Sequence, residues 1–149
     1  MTRTTAREIA MRLCFAISEN ITDPTQAVVD MFETEHYKSL AQEDELFSER
    51  PNKKQMEYIS RVVVGIGEHS AELDEYIEKY ARGWDFARIS RTALAIMKTA
   101  MFEILYMPDI PEGVSINEAL ELAKKYDEPE TVSFINGILG TFVKNETVK

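Results

Sequence analysis

Apolar residues in this chain recur three and four positions apart from one end to the other, with no convincing run of strand-like alternation. Each such segment is a helix with one apolar stripe, and a stripe of that kind has to be buried against another element. The pattern therefore specifies an all-α fold: a compact bundle of about seven short helices in one domain spanning residues 1–149.

The first helix is predicted from Arg3 to Glu19, with Ala6, Ile9, Ala10, Leu13 and Ile17 as its stripe. The second runs from Pro24 to about His36, with Asp23 as N-cap and Pro24 at the first helical position. Residues 37–52 are polar and acidic and end in Arg50-Pro51-Asn52, which reads as a variable connection with room for a short helix. A third helix starts near Lys53 and carries Ile59, Val62, Val63 and Ile66, while Gly65 and Gly67 near its end permit close approach of another backbone. The fourth covers Ala71 to Ala81, capped by Ser70 and ended by Gly83. Ser90 caps a fifth, from Arg91 to about Tyr106, whose stripe is Leu94, Met97, Met101, Ile104 and Leu105. The sixth opens on Ser115 and Glu118 as a capping box. The seventh follows Pro129 and turns Ile135, Ile138, Leu139 and Phe142 inward.

Little here suggests catalysis. Cys14 is the only cysteine, so neither an internal disulfide nor a cysteine-based zinc site can form. His36 and His69 stand far apart in unrelated contexts, and no cofactor is expected. The Gly65-Ile66-Gly67 run lacks the strand and flanking glycines of a phosphate loop. Glu118 and Glu121 share a helix side, but they read as a cap residue and a solvated partner of Lys124 and Lys125 rather than a carboxylate pair. No apolar run reaches the roughly 18 residues of a membrane span, and Glu8 and Arg12 interrupt any signal-peptide core, which points to a cytoplasmic protein.

A net charge of −9 argues against general nucleic-acid binding, yet the charge is uneven. Residues 1–18 hold three arginines and one acid, whereas residues 21–50 hold eight acids against Lys38 and Arg50. On an ideal helix at about 100° per residue, Arg3 and Arg7 stack at one edge of the apolar stripe and Arg12 points well away from both. Met11 and Phe15 fall across from the stripe, and this second apolar strip is covered either by other helices of the same domain or by a protein partner.

Specific segments carry a family resemblance. Trp84 and Arg88 are followed by Met97-Lys98-Thr99-Ala100-Met101-Phe102-Glu103-Ile104, then Pro111-Glu112-Gly113-Val114-Ser115-Ile116-Asn117-Glu118-Ala119 and Glu121-Leu122-Ala123-Lys124. Phe134-Ile135-Asn136-Gly137-Ile138-Leu139 closes the set, and Ala6-Arg7-Glu8-Ile9-Ala10 opens the chain. In this order they resemble the NusB family of transcription antitermination factors; residues 20–55 carry no motif.

The resemblance implies two small helical bundles packed together and a non-enzymatic role in processive transcription, including that of ribosomal RNA operons. It implies pairing with the small-subunit ribosomal protein that doubles as NusE, joint binding of single-stranded boxA RNA, and membership of a transcription elongation complex. Arg3 and Arg7 match the family's arginine-rich opening, and Phe134 matches an aromatic near the RNA surface. With Arg12 these are the candidate RNA-binding residues, and Phe15, with Met11 beside it, is the candidate NusE contact. Asn136 and Gly137 read as structural, the glycine allowing close helix packing. Thr4 and Thr5 stand where the family often has arginines, so this chain is expected to bind RNA weakly alone and to depend on NusE. The competing expectation is a protein-interaction module, a homodimer with little or no RNA binding.

Overall fold

The computed structural model describes residues 1–20 and 22–147; Ile21 and the last two positions of the expected 1–149 domain lie outside that description. Among the described residues there are eight α-helices, two 3-10 turns and no strand. They group into two compact units, residues 1–67 and 68–149.

The first unit contains α1 (Arg3–Asn20), α2 (Pro24–Met31), α3 (Thr34–Glu43) and α4 (Lys53–Glu68). Asp23 caps α2 as expected, its carboxylate accepting from the Gln26 amide at 3.0 Å. The helix then stops short of His36. The Glu33 carboxylate accepts from the amides of Glu35 and His36 at 3.1 and 2.9 Å, which starts α3 at the end of the expected second helix and carries it to Glu43, into the stretch expected to be a connection. Asp44 in turn caps a 3-10 turn at Glu45–Phe47 by accepting from the Leu46 amide at 2.9 Å.

An aromatic node organises this segment. Tyr37 stacks on Phe32 at 5.2 Å and meets Phe47 edge-on at 5.8 Å, and all three are buried. The Tyr37 hydroxyl donates to the Glu49 carbonyl at 2.6 Å, and Arg50 donates to the Phe32 carbonyl at 2.7 Å, which ties down both ends of the acidic stretch. On α4, Ile59, Val62, Val63 and Ile66 are buried as their spacing predicted. Gly67 does mark a close approach, but to a ring: a Cβ there would lie 2.6 Å from Cγ of Pro24.

The second unit contains α5 (Ser70–Tyr80), α6 (Arg91–Tyr106), α7 (Glu112–Tyr126) and α8 (Pro129–Glu146), with a 3-10 turn at Phe86–Arg88. Ser90 caps α6 through the Ala93 amide at 3.1 Å. Two expected caps are absent. Ser70 lies inside α5 and accepts from the Lys98 ammonium at 3.3 Å, which also sits 2.6 Å from Asp74. Helix α7 begins at Glu112, so Ser115 lies a turn inside it and Ser115 with Glu118 forms no capping box.

Ser115 instead donates to the Glu103 carboxylate at 2.7 Å, with the two residues 1% and 0% exposed. A buried carboxylate without donors is costly, and the hydroxyl answers part of that need from the facing helix. Around this pair the core is apolar: Met97, Met101, Ile135, Leu139 and Phe142 are each 0% exposed. Burial of a side chain such as Phe142 contributes about 1.5–3 kcal/mol. At the far end of α8, Glu146 accepts from Lys79 at 2.8 Å and from the Tyr80 hydroxyl, and these bonds hold its carboxyl below the usual carboxylate range.

Candidate nucleic-acid interface

The start of α1 is anchored within its own unit. The Met1 ammonium lies 2.7 Å from the Glu49 carboxylate, which holds that carboxyl below its ordinary pKa, and Gln55 donates to the Met1 carbonyl. Thr2 Oγ1 accepts from the Thr5 amide at 3.1 Å, so the Thr2 side chain serves the helix start.

From that anchor Arg3 and Arg7 reach one buried ring. Their guanidinium carbons lie 4.4 and 5.8 Å from the centroid of Tyr58, which is 3% exposed. Arg3 is exposed and Arg7 is 3% exposed, so only Arg3 meets solvent as expected. Residues 6–11 are buried without a break, including Glu8 at 7% and Met11 at 1%. Helix α1 is covered on more than one side, so Met11 is packed within the fold rather than left outward for a partner. Phe15 keeps part of its surface, and Ile17, expected at the centre of the stripe, is only half-buried.

Arg12 stands apart from the other two, as the wheel predicted. Its Nη1 donates to Asp44 at 2.6 Å and its guanidinium carbon lies 5.1 Å from the Phe47 centroid, so an internal carboxylate offsets its charge.

In the second unit Phe134 is half-buried on α8, its ring 4.5 Å from that of Trp84 and tilted 53° to it. Trp84 is 56% exposed. The sequence marked it only as part of a family pattern; a lone tryptophan between Arg82 and Arg88 was the signal available. Gly137 does not serve helix packing: a Cβ there meets nothing within 4 Å, nor does one at Gly140.

Elsewhere in this unit the Tyr106 hydroxyl donates to Glu72 at 2.6 Å and lies 3.2 Å from Nδ1 of His69, whose ring stacks on Tyr106 at 4.3 Å. The bond to Glu72, then burial, pushes the phenol up to about 12. Among the described residues no group of three or more His, Cys, Asp or Glu is placed to hold a metal, and no helix is long and apolar enough to cross a membrane.

Among the described residues the protein is all-helical, with an anchored, arginine-bearing first helix and an aromatic pair whose indole is exposed. The NusB family profile matches residues 4–144, and the chain belongs to that family. It is 37% identical over 158 residues to the transcription antitermination protein NusB of Clostridium kluyveri, covering 100% of this chain and 99% of that one. It is 41% identical to the protein of that name from Acetivibrio thermocellus, covering 97% and 90%. Among solved structures, NusB of T. maritima superposes with a TM-score of 0.79 at 26% identity, covering 97% and 92%. NusB in a complex of the antitermination factors NusB and NusE with double-stranded RNA shares the fold, with a TM-score of 0.75 at 21% identity, covering 95% and 96%. The expectation of a non-enzymatic protein agrees with this membership.

Proposed function

We propose that this protein acts in the cytoplasm as an antitermination factor that binds boxA-type single-stranded RNA together with NusE, within the transcription elongation complex. The observation that carries the reading is Arg3, an exposed guanidinium held over Tyr58 at the anchored start of α1. A pre-oriented guanidinium serves phosphates and unpaired bases, and less of its freedom is lost on binding. Phe134 supplies the aromatic contact. Arg7, being buried, acts through Tyr58 and the position of Arg3, and Arg12 contributes less because Asp44 already holds it. Phe15 is the NusE contact and Met11 packs behind the surface. The homodimer reading leaned on the acidic balance and on an exposed Met11–Phe15 pair, and the burial of Met11 removes half of that pair.

The test is fluorescence anisotropy of a labelled boxA-like RNA and of a scrambled control, with and without NusE, at several salt concentrations. Weak binding by the chain alone, selective and tighter binding with NusE, and severalfold weaker binding in Arg3→Ala are expected. The lost phosphate contact should flatten the salt slope by about one unit. Absence of RNA binding even with NusE overturns the reading.

A further inference from the structure

The connection between α5 and α6 carries the one tryptophan of the chain, Trp84, and that indole is 56% exposed. An indole left in water forgoes one of the largest apolar burials a side chain offers. The local backbone shows that it is held there. Gly83 turns the chain at φ +79, a conformation that L side chains rarely adopt, and the Trp84 amide donates to the Ala81 carbonyl at 3.1 Å. Asp85 then caps the following 3-10 turn through the Ala87 amide at 3.1 Å. A structured turn presents the ring.

One side of the indole meets Phe134 and more than half of it stays open. Arg82 and Arg88 lie two residues before and four after it, both exposed. Neither makes an ion pair among the described residues, and the single acid between them is the cap residue Asp85. In a chain of net charge −9 this is a local excess of positive charge beside an open aromatic face. That combination matches an unpaired base with its flanking phosphates. The platform is also continuous with Phe134, which the RNA-binding reading already uses.

We propose that Trp84 and Phe134 form a two-ring stacking platform for an unpaired base of single-stranded RNA, with Arg82 and Arg88 taking the adjacent phosphates. The assignment rests on the RNA-binding reading and extends it to a segment that reading leaves unused. Bases of a duplex are already stacked on one another, so the platform selects single strands.

The lone tryptophan makes the test site-specific. The chain with NusE is titrated with a labelled, unstructured boxA-like RNA while anisotropy and tryptophan emission are read together, and Trp84→Phe supplies the blank for any emission from NusE. Emission is expected to be quenched along the same isotherm as the anisotropy. Trp84→Ala is expected to weaken binding about tenfold and Trp84→Phe to retain most of it. Trp84→Leu covers Phe134 but has no π face, so it should behave like Trp84→Ala with an unchanged melting curve. The Arg82→Ala, Arg88→Ala double variant should flatten the salt slope by about one to two units. Full-affinity binding in Trp84→Ala, or no quenching of the unsubstituted chain as RNA binds, overturns the platform and leaves the RNA reading standing, whereas no anisotropy change overturns both. Quenching by NusE alone, with none added by RNA, assigns the rings to a protein contact and overturns the proposal.

Discussion

Arg3 lies over the ring of Tyr58, its guanidinium carbon 4.4 Å from the ring centroid, and this contact joins a surface charge to the core of its unit. Such a contact at an exposed site is worth about 0.5–1 kcal/mol. Arg3→Ala should therefore lower stability only slightly while weakening RNA binding severalfold. Tyr58→Leu keeps most of the buried volume but removes the face that orients the charge. It is expected to cost about 1–2 kcal/mol of stability and to weaken RNA binding in the same direction as Arg3→Ala. Arg7→Ala, from a site 3% exposed, should destabilise more than Arg3→Ala. Thermal melts beside anisotropy titrations separate the three, and a stability loss for Arg3→Ala as large as that for Arg7→Ala would contradict the assignment.

Arg12 and Asp44 give the opposite expectation, since their 2.6 Å pair lies between side chains 36% and 40% exposed. Solvent screening limits such a pair to about 0.2–1 kcal/mol. A double-mutant cycle on Arg12→Ala and Asp44→Ala should return a coupling in that range. RNA affinity should change less in Arg12→Ala than in Arg3→Ala. The reverse ranking would place Arg12 in the RNA contact and Arg3 outside it.

Elements whose apolar residues keep a helical period were readable before any coordinates. The stripe of α4 and that of α8 are buried residue for residue, and Asp23, Pro24 and Ser90 begin helices as their chemistry predicts. The α3 region was not readable, because Phe32, Tyr37 and Phe47 meet in space at spacings that belong to no helical repeat. Ser115 misled for a different reason: a serine three residues before a glutamate looks like a capping box whether it caps or, as here, serves a buried carboxylate on another helix. Arg7 shows the limit of a helical wheel, which placed it at the edge of the stripe, whereas the burial of Met11 decides between the two covers that the second strip allowed. Trp84 carried a signal, its solitude between two arginines, but exposure was needed to give it meaning.

Two glycines test local packing with opposite signs. Gly137 sits exposed in α8 with nothing within 4 Å of a would-be Cβ. Gly137→Ala should then stabilise the protein by about 0.5–1 kcal/mol through helix propensity alone. At Gly67 the added methyl would fall 2.6 Å from Cγ of Pro24, the edge of a stiff ring. Gly67→Ala should destabilise by about 1–3 kcal/mol, and chemical denaturation of both variants reads the two signs. Should RNA or NusE approach the α8 surface closely, Gly137→Ala would weaken the complex while stabilising the free chain.

The Tyr106–Glu72 bond makes stability depend on pH on the alkaline side. In the unfolded chain a tyrosine loses its proton near pH 10, whereas here the Glu72 carboxylate and burial hold the phenol at about 12. A folded pKa above the unfolded one means that the folded state keeps a proton that the unfolded state has released. The group's contribution is then fully present below about pH 10 and is lost as pH rises toward about 12. Tyr106→Phe removes the titrating hydroxyl but keeps the ring that stacks on His69. Its melting temperature should therefore fall less steeply than that of the unsubstituted protein between roughly pH 10 and 12, with the two curves converging at the upper end. A parallel offset across the whole range would mean that the hydroxyl acts through a pH-independent contact, and the titration assigned to Tyr106 would be wrong.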